Sequence, residues 1–236
     1  MISIVIPAYN EEKLIGACLD ALTQQKTTKK FEVILVDNNS TDKTVIIAEK
    51  YKNKLDLKIV LQKVKGRGPA RQRGFQEAKG KIIFSTDADT IVPPCWIERL
   101  SKTLQESTAV GVTGTCKIVD CGWFTNTCFN FIQPFSMRIY RLIFGHYWFS
   151  GFNFAIYKDI YEKSGGFNAR LNVQEDSELS FKVSKIGKIK FIPNVPVIFS
   201  GRRFQNGLLK GLLPYLTTFI GYFHQKNEQI VLDDVR

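Results

Sequence analysis

Three separate stretches of this 236-residue chain share one pattern. Val5-Ile6-Pro7-Ala8-Tyr9-Asn10-Glu11-Glu12, Val36-Asp37-Asn38-Asn39-Ser40-Thr41-Asp42 and Ser85-Thr86-Asp87-Ala88-Asp89 each close an apolar run with acids, amides or hydroxyls. A short, β-branched apolar run of this kind is a strand buried on both faces of a parallel sheet. In such sheets the carboxyl ends of the strands open into a crevice where ligands bind. Three of these ends side by side make one polar pocket, and the third carries two carboxylates two residues apart.

The first half alternates strand and helix. Strands are expected at 2–6, 31–37, 57–61 and 81–85, with helices at 11–25, 41–52, 69–79 and 94–106. The first helix has an apolar stripe of Leu14, Ile15, Cys18, Leu19 and Leu22. Ser40 is the expected cap of the second, and Pro93-Pro94 opens the fourth. This rhythm predicts an α/β fold, a mostly parallel central sheet with helices on both faces. After residue 107 the rhythm changes. A strand is expected at 109–118, a helix at 175–186 and strands at 188–192 and 195–200, giving a small antiparallel element. Thirteen aromatic residues crowd between Trp123 and Tyr157. No repeat, low-complexity tract or linker interrupts the chain, so 1–236 reads as one domain with halves 1–107 and 108–236.

The net charge is +11, spread over both halves without a basic block. With a Phe-rich second half, that favours an anionic small substrate or an anionic membrane surface over nucleic acid. Five cysteines, an odd number with no Cys-x-x-Cys pair, read as free thiols in a reducing compartment. No signal-peptide pattern and no uninterrupted apolar window of ~18–20 residues is present. A cytoplasmic protein is expected, peripheral at the inner face of the cell membrane if it meets lipid at all.

Asp87 and Asp89 are the sharpest chemical signal. In an extended segment residues i and i+2 point the same way. Two carboxylates so placed can hold Mg²⁺ or Mn²⁺ on the oxygens of a diphosphate. The competing reading is a turn in which Asp89 or Thr90 caps the helix that follows. Asp37 closes the second strand, where it can accept hydrogen bonds from a nucleobase or merely tighten the turn. Between the third and fourth strands, Arg67 and Arg71 suit a phosphate or base, whereas Lys65 and Arg73 read as surface. Glu175-Asp176 opens a helix; the acids either complement the helix dipole or supply a general base. Arg202 and Arg203 clamp a leaving diphosphate or form a solvated pair. His146 and His224 are the only histidines, which excludes a His-rich zinc site. No Gly-x-Ser-x-Gly or Walker A motif supports a nucleophilic serine or a P-loop.

Taken in order, these residues resemble glycosyltransferase family 2, enzymes of the GT-A fold that use nucleotide-sugar donors. The opening strand with Pro7, Ala8, Tyr9 and Glu11 is similar to that family's donor loop. The segment with Asp37 and Asn39 resembles its base-binding acid. Gly68-Pro69-Ala70-Arg71-Gln72-Arg73-Gly74 resembles its Ala-Arg-Asn-x-Gly segment, and Asp87-Ala88-Asp89 its metal motif. Gly165-Gly166-Phe167 followed by Gln174-Glu175-Asp176-Ser177-Glu178-Leu179 resembles its Gly-Gly-Phe and Glu-Asp-x-x-Leu pair. The resemblance implies an inverting transfer of one sugar, with Asp176 as the base and Asp87 and Asp89 on Mg²⁺ or Mn²⁺. Pro7, Ala8, Tyr9, Glu11, Asp37, Asn39, Arg67, Arg71, Asp87, Ala88, Glu175, Arg202 and Arg203 would then bind the nucleotide-sugar. A role in cell-envelope glycan synthesis follows from the same likeness. The family often has a His after its last strand; here Arg202 and Arg203 stand there, unless His224 folds over. The Gln-x-x-Arg-Trp motif of processive synthases is absent.

The acceptor is expected along the aromatic stretch 121–157 and the apolar segment 208–223. The latter is about 24 Å long if helical, too short to cross a bilayer comfortably. It reads either as a core helix or as an interfacial helix beside a polyprenyl- or other lipid-linked acceptor. Two other functions compete. A non-catalytic nucleotide-sugar-binding module would need no base, and a sugar-phosphate nucleotidyltransferase should carry a Gly-rich loop after its first strand.

Overall fold

The computed structural model describes residues 1–223. Its centre is one eight-stranded sheet in the order β3-β2-β1-β4-β7-β6-β8-β5. The strands are β1 (Ile2–Ala8), β2 (Phe31–Asp37), β3 (Leu57–Leu61), β4 (Ile82–Ser85), β5 (Thr90–Ile91), β6 (Ala109–Lys117), β7 (Phe154–Tyr157) and β8 (Lys188–Phe199). The helices are α1 (Ile15–Thr23), α2 (Thr44–Glu49), α3 (Arg67–Glu77), α4 (Trp96–Gln105), α5 (Trp123–Phe144), α6 (Lys158–Lys163), α7 (Glu175–Ser184) and α8 (Leu208–Phe223).

Strands β1 to β4 run parallel, as their apolar runs require. Their faces feed two cores. Ile4, Ile6 and Leu35 pack with α1, α4 and Phe84 on one side; Val5, Ile34 and Val36 pack with Phe75, Phe154 and Phe167 on the other. Burying apolar surface at roughly 25 cal/mol per Å² is what holds the two helix layers on the sheet.

The expected antiparallel element is present. Its strands are woven into the same sheet: β7 pairs antiparallel with β4 and β6, and β5 with β8. Residues 188–199 form one bent strand rather than two. Its register against β6 jumps from Ile192 to Val197, which places Pro193 and Pro196 in a bulge where no ladder donor is needed. The long helix α5, which no apolar periodicity announced, fills the aromatic stretch; Pro134 lies inside it. The first helix starts at Ile15, later than residue 11. At α2 the cap role falls to Asp42, whose carboxylate accepts the Thr44 amide at 2.9 Å. The Ser40 hydroxyl instead accepts the Asn10 amide.

One buried amide joins three chain segments beneath the site. The Asn153 side chain accepts from the Trp96 indole at 2.8 Å and donates to the carbonyls of Thr115 and Val195. A fully enclosed Asn is tolerated because its donors and acceptor are all satisfied. Gly114 lies flat against it, where a Cβ would overlap the amide.

Candidate active site

The carboxyl ends of β1 and β4, the first turns of α3 and α7, and the inner faces of α5 and α8 enclose a cavity of about 880 Å³. Pro7, Ala8, Tyr9 and Glu11 line it from the first strand end, Arg67 and Arg71 from α3, and Asp87, Ala88 and Asp89 from the turn after β4. Glu175, Asp176, Arg202 and Arg203 complete the polar wall. Eleven of the thirteen expected donor residues, together with Asp89 and Asp176, therefore face one space.

Asp37 and Asn39 are the exceptions. Asp37 is buried and its carboxylate accepts the Ser40 amide at 3.1 Å, the turn-tightening role. Asn39, at φ 66°, donates outward to the Lys63 carbonyl. Asn38 lies between them and does line the cavity. Its amide donates to the carbonyls of Gln62 and Val64 and accepts from the Gly66 amide, clamping the loop that leads into α3. Lys65, read from sequence as surface, reaches the cavity mouth; its ammonium sits 5.0 Å from the centre of the Tyr9 ring. Arg73 is surface, paired with Glu77.

Asp87 and Asp89 sit on a turn, not on an extended segment: the Thr90 amide donates back to the Asp87 carbonyl at 3.1 Å. Neither acid caps a helix, since Thr90 enters β5. The two carboxylates are held from opposite sides. The Arg71 guanidinium donates to Asp87 Oδ1 at 3.0 and 2.8 Å and, through Nε, to Glu175 at 3.1 Å. Arg202 bridges Asp89 at 2.5 Å and Glu11 at 2.7 Å. Arg71 is almost wholly buried, with its guanidinium held between these carboxylates at the cavity wall. The Gly-rich loop is likewise structural: Gly66 takes φ 136°, and a Cβ at Gly68 would run into the backbone of Leu171.

Asp176 stands in the first turn of α7. Its Oδ2 accepts the Gly151 amide at 2.9 Å and its Oδ1 the Ser177 amide at 2.8 Å. The dipole reading and the base reading thus describe the same side chain, which still lines the cavity. Gly151 was not singled out in the sequence. A Cβ there would strike the Arg71 guanidinium and lie 3.1 Å from Asp176 Oδ2. Its only sequence signal is a glycine between Ser150 and Phe152 within the aromatic stretch.

Charge balance sets the protonation of this group. Asp87, Glu175 and Asp176 surround one buried guanidinium, leaving an excess of negative charge out of water. Burial and the neighbouring Asp176 push Glu175 up to about 7. Asp176 is raised above the ordinary carboxylate range by burial, against the pull of Arg71 and its amide donors. Asp89 is pushed up to about 6 by burial and by the charge of Asp87, with Arg202 opposing. For Arg71 burial favours the neutral form, yet Asp87 and Glu175 outweigh it and hold the guanidinium charged. Raised carboxylates grouped in a cleft are a signature of chemistry.

The opposite wall is apolar. Phe129 and Tyr140 of α5, Trp148, Phe152, Phe199, Phe204, and Leu212, Tyr215 and Leu216 of α8 form it. Segment 208–223 is helical, and its inner side closes the cavity. His224 lies outside the described residues.

Comparison with known proteins places this architecture. The family model for glycosyl transferase family 2 matches residues 3–165. The chain belongs to glycosyl transferase family 2. It is 31% identical over 205 residues to "Probable glycosyltransferase YdaM" of Bacillus subtilis (strain 168), an alignment covering 81% of this chain and 49% of that protein. The chain thus spans about half the length of this relative or less of others. Among solved structures it resembles S. aureus TarS 1-349 in complex with UDP-GlcNAc, with a TM-score of 0.69, 23% identity, 84% of this chain and 58% of that one. It also resembles the mannosyltransferase PcManGT from Pyrobaculum calidifontis in complex with GDP-Man and Mn²⁺, with a TM-score of 0.67, 22% identity, 92% of this chain and 64% of that one. The GT-A fold expected from the sequence is the fold observed.

Proposed function

We propose that this glycosyltransferase moves one sugar from a UDP- or GDP-sugar to a hydroxyl or phosphate of an acceptor, with inversion at the anomeric carbon. The observation that carries the reading is the convergence of Asp87, Asp89 and Asp176 on one cavity, polar on the donor side and apolar on the other. Asp176 takes the proton of the acceptor oxygen, which bonds to the anomeric carbon as the bond to the diphosphate breaks. The amides of Gly151 and Ser177 fix the direction of that carboxylate before reaction. Arg71 holds Asp87 and Glu175 in place, while Arg202 and Arg203 face the side from which a diphosphate departs.

The residues also fit a divalent ion. Asp87 and Asp89 are hard oxygen donors, and Asp89 is raised partly by a like charge that a cation would relieve. Among the described residues no third side chain completes a metal cluster. The other positions would fall to water and to donor oxygens, the usual arrangement for Mg²⁺ with a phosphorylated substrate. Such an ion supplies Lewis acidity to the leaving diphosphate. Support from relatives is the Mn²⁺ and GDP-Man of the PcManGT complex and the UDP-GlcNAc of TarS. The apolar wall suits a lipid-linked acceptor presented at a membrane surface.

A thermal-shift screen of UDP-, GDP- and dTDP-sugars with and without Mn²⁺ tests the donor side, because a ligand of the native state raises the melting temperature. A stabilising donor whose effect depends on Mn²⁺ supports the reading. No shift with any of them sinks it.

A further inference from the structure

Helix α5 has two faces. Its inner one, with Phe129, Gln133, Ser136 and Tyr140, lines the cavity. Its outer one is apolar yet uncovered: Trp123 is 80% exposed, Phe131 76%, Phe135 55% and Leu142 86%, with Phe124 and Ile143 beside them. Large aromatic and aliphatic side chains are rarely left to water in such number on one helix. The neighbouring α8 repeats the pattern on a smaller scale, with Leu209 and Leu213 exposed next to Lys210.

Charge says what covers this face. The sequence holds no Asp or Glu between Asp120 and Asp159, and none between Glu178 and Glu228. Both helices are therefore free of acids, while Arg138 and Arg141 of α5 and Lys210 of α8 are exposed cations. Neither arginine is ion-paired among the described residues; each lies over an aromatic ring, Phe191 or Tyr147. An apolar helix face with exposed cations, an exposed Trp at one end and no acids suits an anionic lipid interface. A protein partner of matching shape would gain from charges of both signs.

We propose that the outer face of α5 docks the protein on an anionic lipid bilayer, so that the helix walling the cavity lies in the membrane interface. The proposal deepens the acceptor reading above and rests on it for its purpose: a lipid-linked acceptor would reach the cavity past α5 and α8 without leaving the interface. No helix among the described residues is long and apolar enough to cross a membrane, so docking here is lateral.

The test uses the whole chain and vesicles of phosphatidylcholine alone or with about 30% phosphatidylglycerol. Co-sedimentation is expected with the anionic vesicles, falling at least about tenfold in high salt or on neutral vesicles. Trp123 emission should shift to the blue on binding. The double variant Phe131→Glu with Leu142→Glu should lose at least about tenfold in vesicle affinity. Its donor-induced thermal shift should be unchanged, because neither residue lines the cavity, and its melting temperature without donor checks that it folds. Wild-type protein that ignores anionic vesicles overturns the docking surface while leaving the transfer reading intact if donors still bind. A wild-type dimer in sedimentation velocity, made monomeric by the double variant and indifferent to vesicles, also overturns it and assigns the face to a second copy.

Discussion

The two walls of the cavity are made of opposite materials. The charged wall comes from strand ends and the first turn of α3 in the first half, completed by Glu175, Asp176, Arg202 and Arg203 from the second. The wall built mainly by later residues comes from helices α5 and α8 and carries aromatic and aliphatic side chains. The first depends on backbone geometry that parallel strands repeat in any protein of this architecture. The second depends on side-chain bulk. On the proposed function, a site divided in this way would separate recognition of a charged nucleotide from recognition of an acceptor, and ion pairs between the two halves hold the charged side together.

Arg71 ties the first half to the second by bonding both Asp87 and Glu175, so its loss should do the most. Arg71→Ala leaves the buried Glu175 without its cation, and breaking one side of a buried pair costs about 3–5 kcal/mol. Urea unfolding should show that loss, with turnover falling as well; a variant of wild-type stability would show that the two halves do not depend on this contact. Next comes Asp176→Asn. It keeps the shape and removes the base, so turnover should drop by about 10²–10⁴ while donor affinity by calorimetry stays put. A non-catalytic binding module would show no turnover to lose.

Gly151→Ala tests the coupling more gently. The added methyl meets the Arg71 guanidinium, and overpacking of this kind costs about 1–3 kcal/mol. The melting temperature should fall, and turnover should fall further than donor affinity does. The pH response sharpens the same point. Asp176 must be ionised to act and burial raises it. The acid limb of turnover should therefore lie above the ordinary aspartate value of about 4, and an acid limb at or below it would contradict the buried cluster. Stability should run the other way. Glu175 is held at about 7 in the folded chain, above its unfolded value, so the folded state keeps a proton that the unfolded chain has released. Stability from this group is complete at low pH and is lost as pH rises toward 7. Glu175→Gln should flatten that slope in urea titrations. The smallest effect belongs to the surface of the first half: Lys29→Ala breaks a partly exposed pair with Glu98, and exposed pairs are worth about 0–1 kcal/mol.

The first wall was legible in the sequence because its logic is local. An apolar run followed by Asp-x-Asp states both a strand and its ligand end, and the order of six motifs pointed to the family that the match over residues 3–165 shows. The details that the sequence left open were those that tertiary contacts decide. Asp37 and Asn38 are adjacent and equally polar, yet Asn38 reaches the cavity while Asp37 turns to the Ser40 amide. Arg71 sits in a basic stretch like any phosphate binder, and only packing shows it enclosed between two carboxylates. Gly151 gave almost no signal, since a close approach by another chain segment leaves no mark except the absence of a side chain. In residues 123–144 the aromatics point both inward and outward, so no amphipathic stripe announced a helix.

The pairing of β5 with β8 has a consequence for the order in which the site can form. The Ser200 amide bonds to the Asp89 carbonyl, and this contact delivers Arg202 to Glu11 and Asp89. Glu11 and Asp89 are encoded within the first 89 residues, but the guanidinium that bridges them arrives some hundred residues later along the chain. Arg71 meets Asp87 from within the first half, but Glu11 and Asp89 are bridged only by the turn that follows β8, which makes the returning end of the sheet the clasp of the site.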